Sequence, residues 1–84
     1  MWFVYLLECA DKTLYAGITT DCERRVEEHN HDPRKGAKYT RARRPVALVW
    51  SEKQPTRAEA TRRELAIKRL SRAKKLALIA NLNN

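Results

Sequence analysis

The chain has 84 residues, which allows one domain with a thin core. Eighteen Lys and Arg residues against ten Asp and Glu residues give a net charge of +8, which favours a polyanion such as nucleic acid over a membrane surface. The longest apolar run, residues 1–7, is too short to cross a bilayer and lacks the basic leader and cleavage site of a secretory signal. We therefore expect a cytoplasmic protein without a membrane-spanning segment.

Two strand-like segments begin the chain. Residues Trp2–Glu8 are aromatic and aliphatic, which is typical of a strand, and Leu14–Thr19 returns after a short polar connection at residues 10–13. Gly17 interrupts the second segment, and it indicates either a bulge or a place where another backbone or a ligand comes close.

A capping box at residues 20–23 predicts the start of a first helix, which runs to about Asn30. Residues three and four apart on a helix share a face, and one face here combines apolar with ionisable side chains: Cys22, Arg25, Val26 and His29. The apolar residues should turn this face toward the core. Arg25 and His29 would then point at the sheet, where a charge is costly unless it has a partner or a task.

The segment from His31 to Arg44 is predicted to be a long loop, and loops of that length in small domains usually carry function. Its last eleven residues, 34–44, are strongly basic and contain no acidic residue: Arg34, Lys35, Lys38, Arg41, Arg43 and Arg44. Pro45 then leads into a third predicted strand at residues 46–51.

The last third of the chain is predicted to be helical. A second capping box, Thr56 to Glu59, starts a helix that runs to about Leu70. Ser71 could cap a further helix at residues 72–82, whose apolar stripe would consist of Leu76, Ile79 and Ala80. A second basic block without acidic residues lies at this junction: Arg69, Arg72, Lys74 and Lys75.

The element order β-β-α-β-α-α predicts an α+β fold, a small mostly antiparallel three-stranded sheet flanked by helices. We expect a single domain over residues 1–84. Cys9 and Cys22 could form one disulfide, but reduced thiols are expected without an export signal. Two Cys and two His residues do not match the spacing of a structural zinc site.

Glu64 lies in the middle of the second predicted helix, on a face that it shares with Ala60, Ile67 and Lys68. A carboxylate in this position is either a metal ligand or one half of an ion pair. The helical spacing alone favours the ion pair with Lys68. Each other candidate has an ordinary interpretation too, because tyrosines pack in sheets and helices often carry arginines and histidines.

Taken together, the candidates resemble the GIY-YIG nuclease superfamily, in particular its small stand-alone bacterial single-domain branch. The two tripeptides of the family correspond to residues 3–5 and 15–17, with both tyrosines and the second glycine kept. The helix arginine of the family corresponds to Arg25, its histidine to His29 and its later glutamate to Glu64. Phe-Val replaces Gly-Ile in the first tripeptide, and Ala16 replaces an aliphatic residue in the second.

The resemblance implies a metal-dependent DNA endonuclease that hydrolyses phosphodiester bonds. Glu64 would hold one Mg²⁺ or Mn²⁺ ion, and Arg25 would bind the phosphate with its planar fork. Tyr5 or Tyr15 would act as general base; we favour Tyr5, with neutral His29 as the proton acceptor. Tyr39 would donate a hydrogen bond near the phosphate. No organic cofactor is implied.

The same resemblance suggests how DNA would be bound. The contacts to the backbone would come from the basic loop and from Lys68, and they would give affinity and salt dependence rather than sequence choice. Trp2, Trp50 and Tyr39 could stack on bases if they are exposed. A body this small favours single-stranded or branched DNA, in repair, recombination or DNA uptake. The alternative is a non-catalytic nucleic-acid-binding module on the same fold, although such a module has no need for a carboxylate facing its polyanion.

Overall fold

The computed structural model describes residues 1–32 and 34–82, so that Pro33 of the predicted loop and residues 83–84 of the expected domain lie outside it. The described chain forms three strands and four helices: β1 (Trp2–Glu8), β2 (Leu14–Thr19), α1 (Cys22–His31), α2 (Lys38–Arg41), β3 (Ala47–Gln54), α3 (Arg57–Lys68) and α4 (Arg72–Leu82).

The sheet has the order β2-β1-β3, and both pairings are antiparallel. The central strand β1 therefore has a partner on each side, and Tyr5 lies opposite Gly17 on β2. A bulge interrupts the pairing with β3, because Leu6 faces Trp50 whereas Leu7 faces Leu48.

Helices cover both faces of the sheet. Successive strand residues point to opposite faces, so β1 contributes to two separate core clusters. Val4 and Leu6 belong to the cluster that contains Ala60 and Ile67 of α3. Tyr5 and Leu7 belong to a second cluster, against which Tyr15 of β2 and Cys22 and Val26 of α1 pack. The α1 face of the sheet thus carries both tyrosines of the tripeptides.

The predicted fold class is confirmed, and β1 and β2 have the predicted bounds. The cap of α1 was predicted wrongly as Thr20. Asp21 precedes the first helical residue, and its carboxylate accepts a hydrogen bond of 3.1 Å from the Arg24 amide. The second cap is confirmed, because the Thr56 hydroxyl accepts from the Glu59 amide at 3.2 Å.

Three further expectations need correction. The segment predicted as a loop contains the four-residue helix α2, and β3 extends to Gln54 rather than ending at residue 51. The apolar stripe of α4 was predicted only in part. Ile79 packs on the core as predicted and so does Leu78, whereas Leu76 is 41% exposed and Ala80 is exposed too.

Other expectations agree with the structure. Ser71 accepts a hydrogen bond from the Lys74 amide at 3.2 Å, as expected of a helix cap. Both cysteines are free thiols. Within the described ranges, no helix is long and apolar enough to cross a membrane.

Candidate active site

The two tyrosines and His29 meet between the sheet and α1. The Tyr5 hydroxyl lies 3.0 Å from Nε2 of His29, and this hydrogen bond is buried. The Tyr15 ring meets the His29 ring edge-on, with 5.4 Å between the ring centroids. Strands β1 and β2 thus supply the tyrosines, and the inward face of α1 supplies the histidine. The expectation that α1 turns His29 toward the sheet is confirmed, because the residue is 0% exposed.

Gly17 is what allows Tyr5 to occupy this position. A methyl group at Gly17 would overlap the hydroxyl and the ring carbons of Tyr5, its partner across the strand pair. Gly17 was expected to mark a bulge or the close approach of a backbone or a ligand. The close approach is made instead by the side chain of Tyr5.

Thr40 and Ala37 hold the other edge of His29. Nδ1 of His29 lies 2.8 Å from the Thr40 hydroxyl, which in turn donates to the Ala37 carbonyl at 2.9 Å. Thr40 is fully buried. This contact could not be predicted from the sequence, because a threonine in a basic loop normally faces solvent. On a long helix, the periodic spacing of apolar residues identifies the positions that face inward. A four-residue helix is too short to show such a period.

Burial keeps His29 uncharged. It lowers the pKa of the imidazole to about 4, and the nearby cations Arg25 and Arg44 act in the same direction. The ring is therefore neutral at pH 7. A neutral imidazole has one nitrogen that accepts and one that donates a hydrogen bond.

The pKa values of the two tyrosines are shifted upward, in the opposite direction from the pKa of His29. Burial raises the pKa of Tyr5 to about 12, although the charge and hydrogen bonding of Arg25 offset part of this effect. Burial also raises the pKa of Tyr15. The negative charge of Glu64 raises both pKa values further, which shows that this carboxylate on α3 lies within electrostatic reach of both tyrosines.

Tyr39 closes the outer side of the site. Its ring stacks on Tyr15 with 5.8 Å between centroids and 23° between planes. The Arg43 guanidinium lies 3.9 Å from the centre of the Tyr39 ring, and it also forms a 3.1 Å salt bridge with Asp11. Tyr39 remains 37% exposed.

Arg25 is bound through one nitrogen of its guanidinium and is partly exposed. Nη1 donates to Glu28 at 3.0 Å and to the Lys35 carbonyl at 2.6 Å, and the side chain is 24% exposed. Both of these contacts use Nη1, and the guanidinium also hydrogen-bonds the Tyr5 phenol. An incoming anion would bind the N–H groups of the fork that remain.

Glu64 forms the ion pair that its spacing predicts, with 3.7 Å between its carboxylate and Nζ of Lys68. The Glu64 side chain is 17% exposed and that of Lys68 is 49% exposed. No group of three or more His, Cys, Asp or Glu residues gathers anywhere in residues 1–32 or 34–82. A divalent cation at Glu64 would therefore have fewer than three such ligands from the described residues, which suits Mg²⁺ because this ion keeps several of its waters and binds through one or two carboxylates.

The basic loop divides into two groups. Arg44 is half-buried, and it donates to the His29 carbonyl at 2.5 Å and to the Asp32 carbonyl at 2.8 Å, at the end of α1. Arg43 is engaged with Asp11 and Tyr39. The exposed members are Arg34, Lys35, Lys38 and Arg41.

The aromatic residues suggested for base stacking differ in access. Trp50 is 5% exposed and packs in the core with Val4, so the expectation that it could stack on bases is wrong. Trp2 is half-buried, and the Arg57 guanidinium lies 5.6 Å from its ring centre. Tyr39 is the accessible one of the three.

The chain belongs to the GIY-YIG family, a family of nucleases: the family model described as the GIY-YIG catalytic domain matches residues 1–77. Among its relatives, the UPF0213 protein of Desulfotalea psychrophila is 56% identical over 78 residues, which are 93% of this chain and 70% of that protein. The UPF0213 protein of Natronomonas pharaonis is 56% identical over 79 residues, which are 94% of this chain and 91% of that protein.

A solved structure has the same fold. The solution NMR structure of a UPF0213 protein from Bacillus halodurans is 47% identical, with a TM-score of 0.59, and the match covers 95% of this chain and 84% of that one. The resemblance to a small GIY-YIG domain is thereby confirmed.

Proposed function

We propose that this protein is a metal-dependent DNA endonuclease that hydrolyses phosphodiester bonds. The observation that carries the proposal is the buried hydrogen bond of 3.0 Å between the Tyr5 hydroxyl and Nε2 of His29. The Tyr5 hydroxyl can accept a proton from water, and the neutral imidazole of His29 can accept the proton that Tyr5 gives up.

Tyr5 is the base that this arrangement favours. Its hydroxyl is the one bonded to His29, whereas Tyr15 meets the same imidazole through its ring. In the free site the proton stays on Tyr5, because burial raises the pKa of the phenol and lowers that of the imidazole. A bound phosphate changes the balance, since its negative charge stabilises the imidazolium that proton transfer creates. Tyr5 takes the proton of the attacking water as it passes its own to His29.

Arg25 and Tyr39 are proposed to bind the scissile phosphate. Nη1 of Arg25 is anchored by Glu28 and Lys35, which sets the direction of the fork before substrate arrives. An oriented guanidinium binds phosphate through two parallel hydrogen bonds. Tyr39 is the accessible phenol, and its stacking between Tyr15 and Arg43 holds its hydroxyl in a fixed position as a donor.

Glu64 is proposed to hold one Mg²⁺ or Mn²⁺ ion. The bound cation would neutralise charge on the phosphate and stabilise the departing oxygen. The pairing with Lys68 does not oppose this, because i,i+4 ion pairs on a helix stabilise by only about 0.3–0.5 kcal/mol. Lys68 is then free to turn its ammonium group toward the DNA backbone.

The substrate that fits best is single-stranded or branched DNA, handled in the cytoplasm during repair, recombination or DNA uptake. The exposed loop cations, Arg34, Lys35, Lys38 and Arg41, supply contacts to the phosphate backbone. The chain spans only 29 × 27 × 23 Å, so one copy is too small to enclose a duplex from both sides.

A non-catalytic nucleic-acid-binding module remains the second candidate. The contact between Glu64 and Lys68 favours it, because the ammonium neutralises the carboxylate that would otherwise repel phosphate. The two candidates differ in their need for metal. Binding without a metal requirement and without cleavage belongs to the second alone.

The test is a comparison of cleavage and binding on one labelled sequence, presented as a single strand, a duplex and a branched junction. Each is incubated with Mg²⁺, Mn²⁺ or EDTA. The proposal predicts cleavage with either metal, none in EDTA, and slower cleavage of the duplex. Binding of all three forms with no cleavage in any metal would establish the second candidate instead.

A further inference from the structure

Thr40 of α2 contacts the ring nitrogen of His29 that Tyr5 does not reach. Its hydroxyl lies between Nδ1 of His29 at 2.8 Å and the Ala37 carbonyl at 2.9 Å. Thr40 is fully buried, as is His29. A buried hydroxyl that bridges a titratable ring and the backbone determines which ring nitrogen carries the proton.

The proton count around this hydroxyl decides the tautomer. Thr40 has one hydroxyl hydrogen, and it can serve either the Ala37 carbonyl or Nδ1 of His29, but not both. When it serves the carbonyl, Nδ1 must carry a hydrogen and donate to the threonine oxygen. Nε2 is then the acceptor, and the Tyr5 hydroxyl donates to it at 3.0 Å. This is the neutral tautomer that satisfies all three of these short contacts together.

The opposite tautomer is also supported by the structure, but by a longer contact. The Ala37 amide lies 3.4 Å from Nδ1 and could donate to it. That arrangement puts the hydrogen on Nε2, where it would point at the Tyr5 oxygen and remove the proton acceptor. Thr40 competes directly with this amide for the same nitrogen.

We propose that Thr40 is a positioning residue that holds His29 in the Nδ1–H tautomer and thereby keeps Nε2 free to accept the proton of Tyr5. The inference rests on the proposed function for its catalytic consequence, whereas the tautomer itself is a property of the free protein. Thr40 touches neither phosphate nor water. It acts through His29.

The other charged and titratable groups around His29 do not assign its tautomer. Tyr5 and Tyr15 approach from the sheet, Arg25 and Glu28 lie on α1, and Arg44 binds the carbonyl of His29 from the segment before β3. Arg25, Glu28 and Arg44 shift the pKa of the ring through their charge. Of the described contacts to Nδ1, that of Thr40 is the shorter.

The experiment measures the ring-nitrogen chemical shifts of His29 by ¹⁵N NMR at pH 7 in the wild type, Thr40→Val and Thr40→Ser. Valine keeps the shape of threonine without its hydroxyl, and serine keeps the hydroxyl. We expect a protonated Nδ1 in the wild type and in Thr40→Ser. In Thr40→Val the Ala37 amide is unopposed, so the hydrogen should move to Nε2. A protonated Nε2 in the wild type would overturn the inference, even if the valine variant did not fold.

Cleavage rates give the second readout. Because Thr40→Val removes the proton acceptor, we expect cleavage to fall on the order of 10²-fold, while Thr40→Ser stays close to the wild type. Unchanged cleavage and an unchanged tautomer in Thr40→Val would overturn the inference and leave the proposed function standing. A tautomer that switches as expected in a protein that cleaves no DNA would overturn the proposed function and leave the assignment of Thr40 standing.

Discussion

The Tyr5 hydroxyl and Nε2 of His29 lie 3.0 Å apart in a place that solvent hardly reaches, since Tyr5 is 2% exposed and His29 is 0% exposed. The two residues are separated by 24 positions, and they meet because β1 and the inward face of α1 are packed against each other. Burial shifts their pKa values in opposite directions, so that both are neutral at pH 7. The pair therefore carries no net charge in the free protein.

The first prediction concerns stability as a function of pH. The pKa of His29 is about 4 in the folded protein and 6.5 in the unfolded chain, so the unfolded chain binds the proton first as the pH falls. The free energy of unfolding should therefore decrease between pH 6.5 and pH 4, by on the order of 3 kcal/mol. Denaturant unfolding at several pH values measures this. In His29→Gln the decrease should be absent, whereas His31→Gln, an exposed change on the same helix, should keep it.

The second prediction separates the two tyrosines. Tyr5→Phe removes the hydroxyl bonded to His29, and we expect single-turnover cleavage to fall by about 10²–10⁴-fold. Tyr15→Phe keeps the ring that packs on His29 and Tyr39, and its loss should be smaller. Both variants should fold, because each retains its aromatic ring. A larger loss in Tyr15→Phe than in Tyr5→Phe would assign the base to Tyr15.

The third prediction concerns the glycine beneath Tyr5. Gly17→Ala places a methyl group where the hydroxyl and ring carbons of Tyr5 lie, so the ring must move. We expect a destabilisation of about 1–3 kcal/mol, the usual cost of overpacking, together with a loss of cleavage. In a Tyr5→Ala background the same glycine substitution should cost much less. Equal costs in the two backgrounds would show that the clash is not with Tyr5.

The fourth prediction divides the basic loop by role. Arg44 binds the His29 and Asp32 carbonyls, so Arg44→Ala should lower stability by about 1–3 kcal/mol. Lys38→Ala and Arg41→Ala change exposed residues and should leave stability nearly unchanged. Their effect should appear in DNA binding, where each lost contact to a single strand lowers the slope of log affinity against log salt by about 0.7. An unchanged slope in the Lys38→Ala, Arg41→Ala double variant would remove these two residues from the DNA surface.

The fold could be predicted from the sequence because its signals are local. Apolar strands, helix caps and the periodicity of α1 can each be recognised within a few residues. These patterns predict β1, β2 and the inward position of His29. Short elements were missed for the same reason. The four residues of α2 make barely one helical turn, so no periodicity reveals that Thr40 faces inward.

Long-range contacts explain the remaining errors. Trp50 could not be assigned to the core without the bulge of β3, which shifts the register between Leu6 and Leu7. Arg43 and Arg44 read as part of one basic run, but their partners Asp11 and His29 lie more than ten positions away. The sequence alone does not distinguish a cation that is bound to groups inside the fold from an exposed cation that could contact DNA.

The most direct test of the proposed activity is single-turnover cleavage of labelled single-stranded DNA in Mg²⁺ by the wild type, Glu64→Gln and Glu59→Gln. Both substitutions remove one carboxylate charge from α3, but Glu64 lies within electrostatic reach of both tyrosines, whereas Glu59 is exposed in the first turn. We predict that Glu64→Gln abolishes cleavage while Glu59→Gln cleaves like the wild type. Cleavage by Glu64→Gln at the wild-type rate, or no cleavage by the wild type in Mg²⁺ or Mn²⁺, would contradict the account.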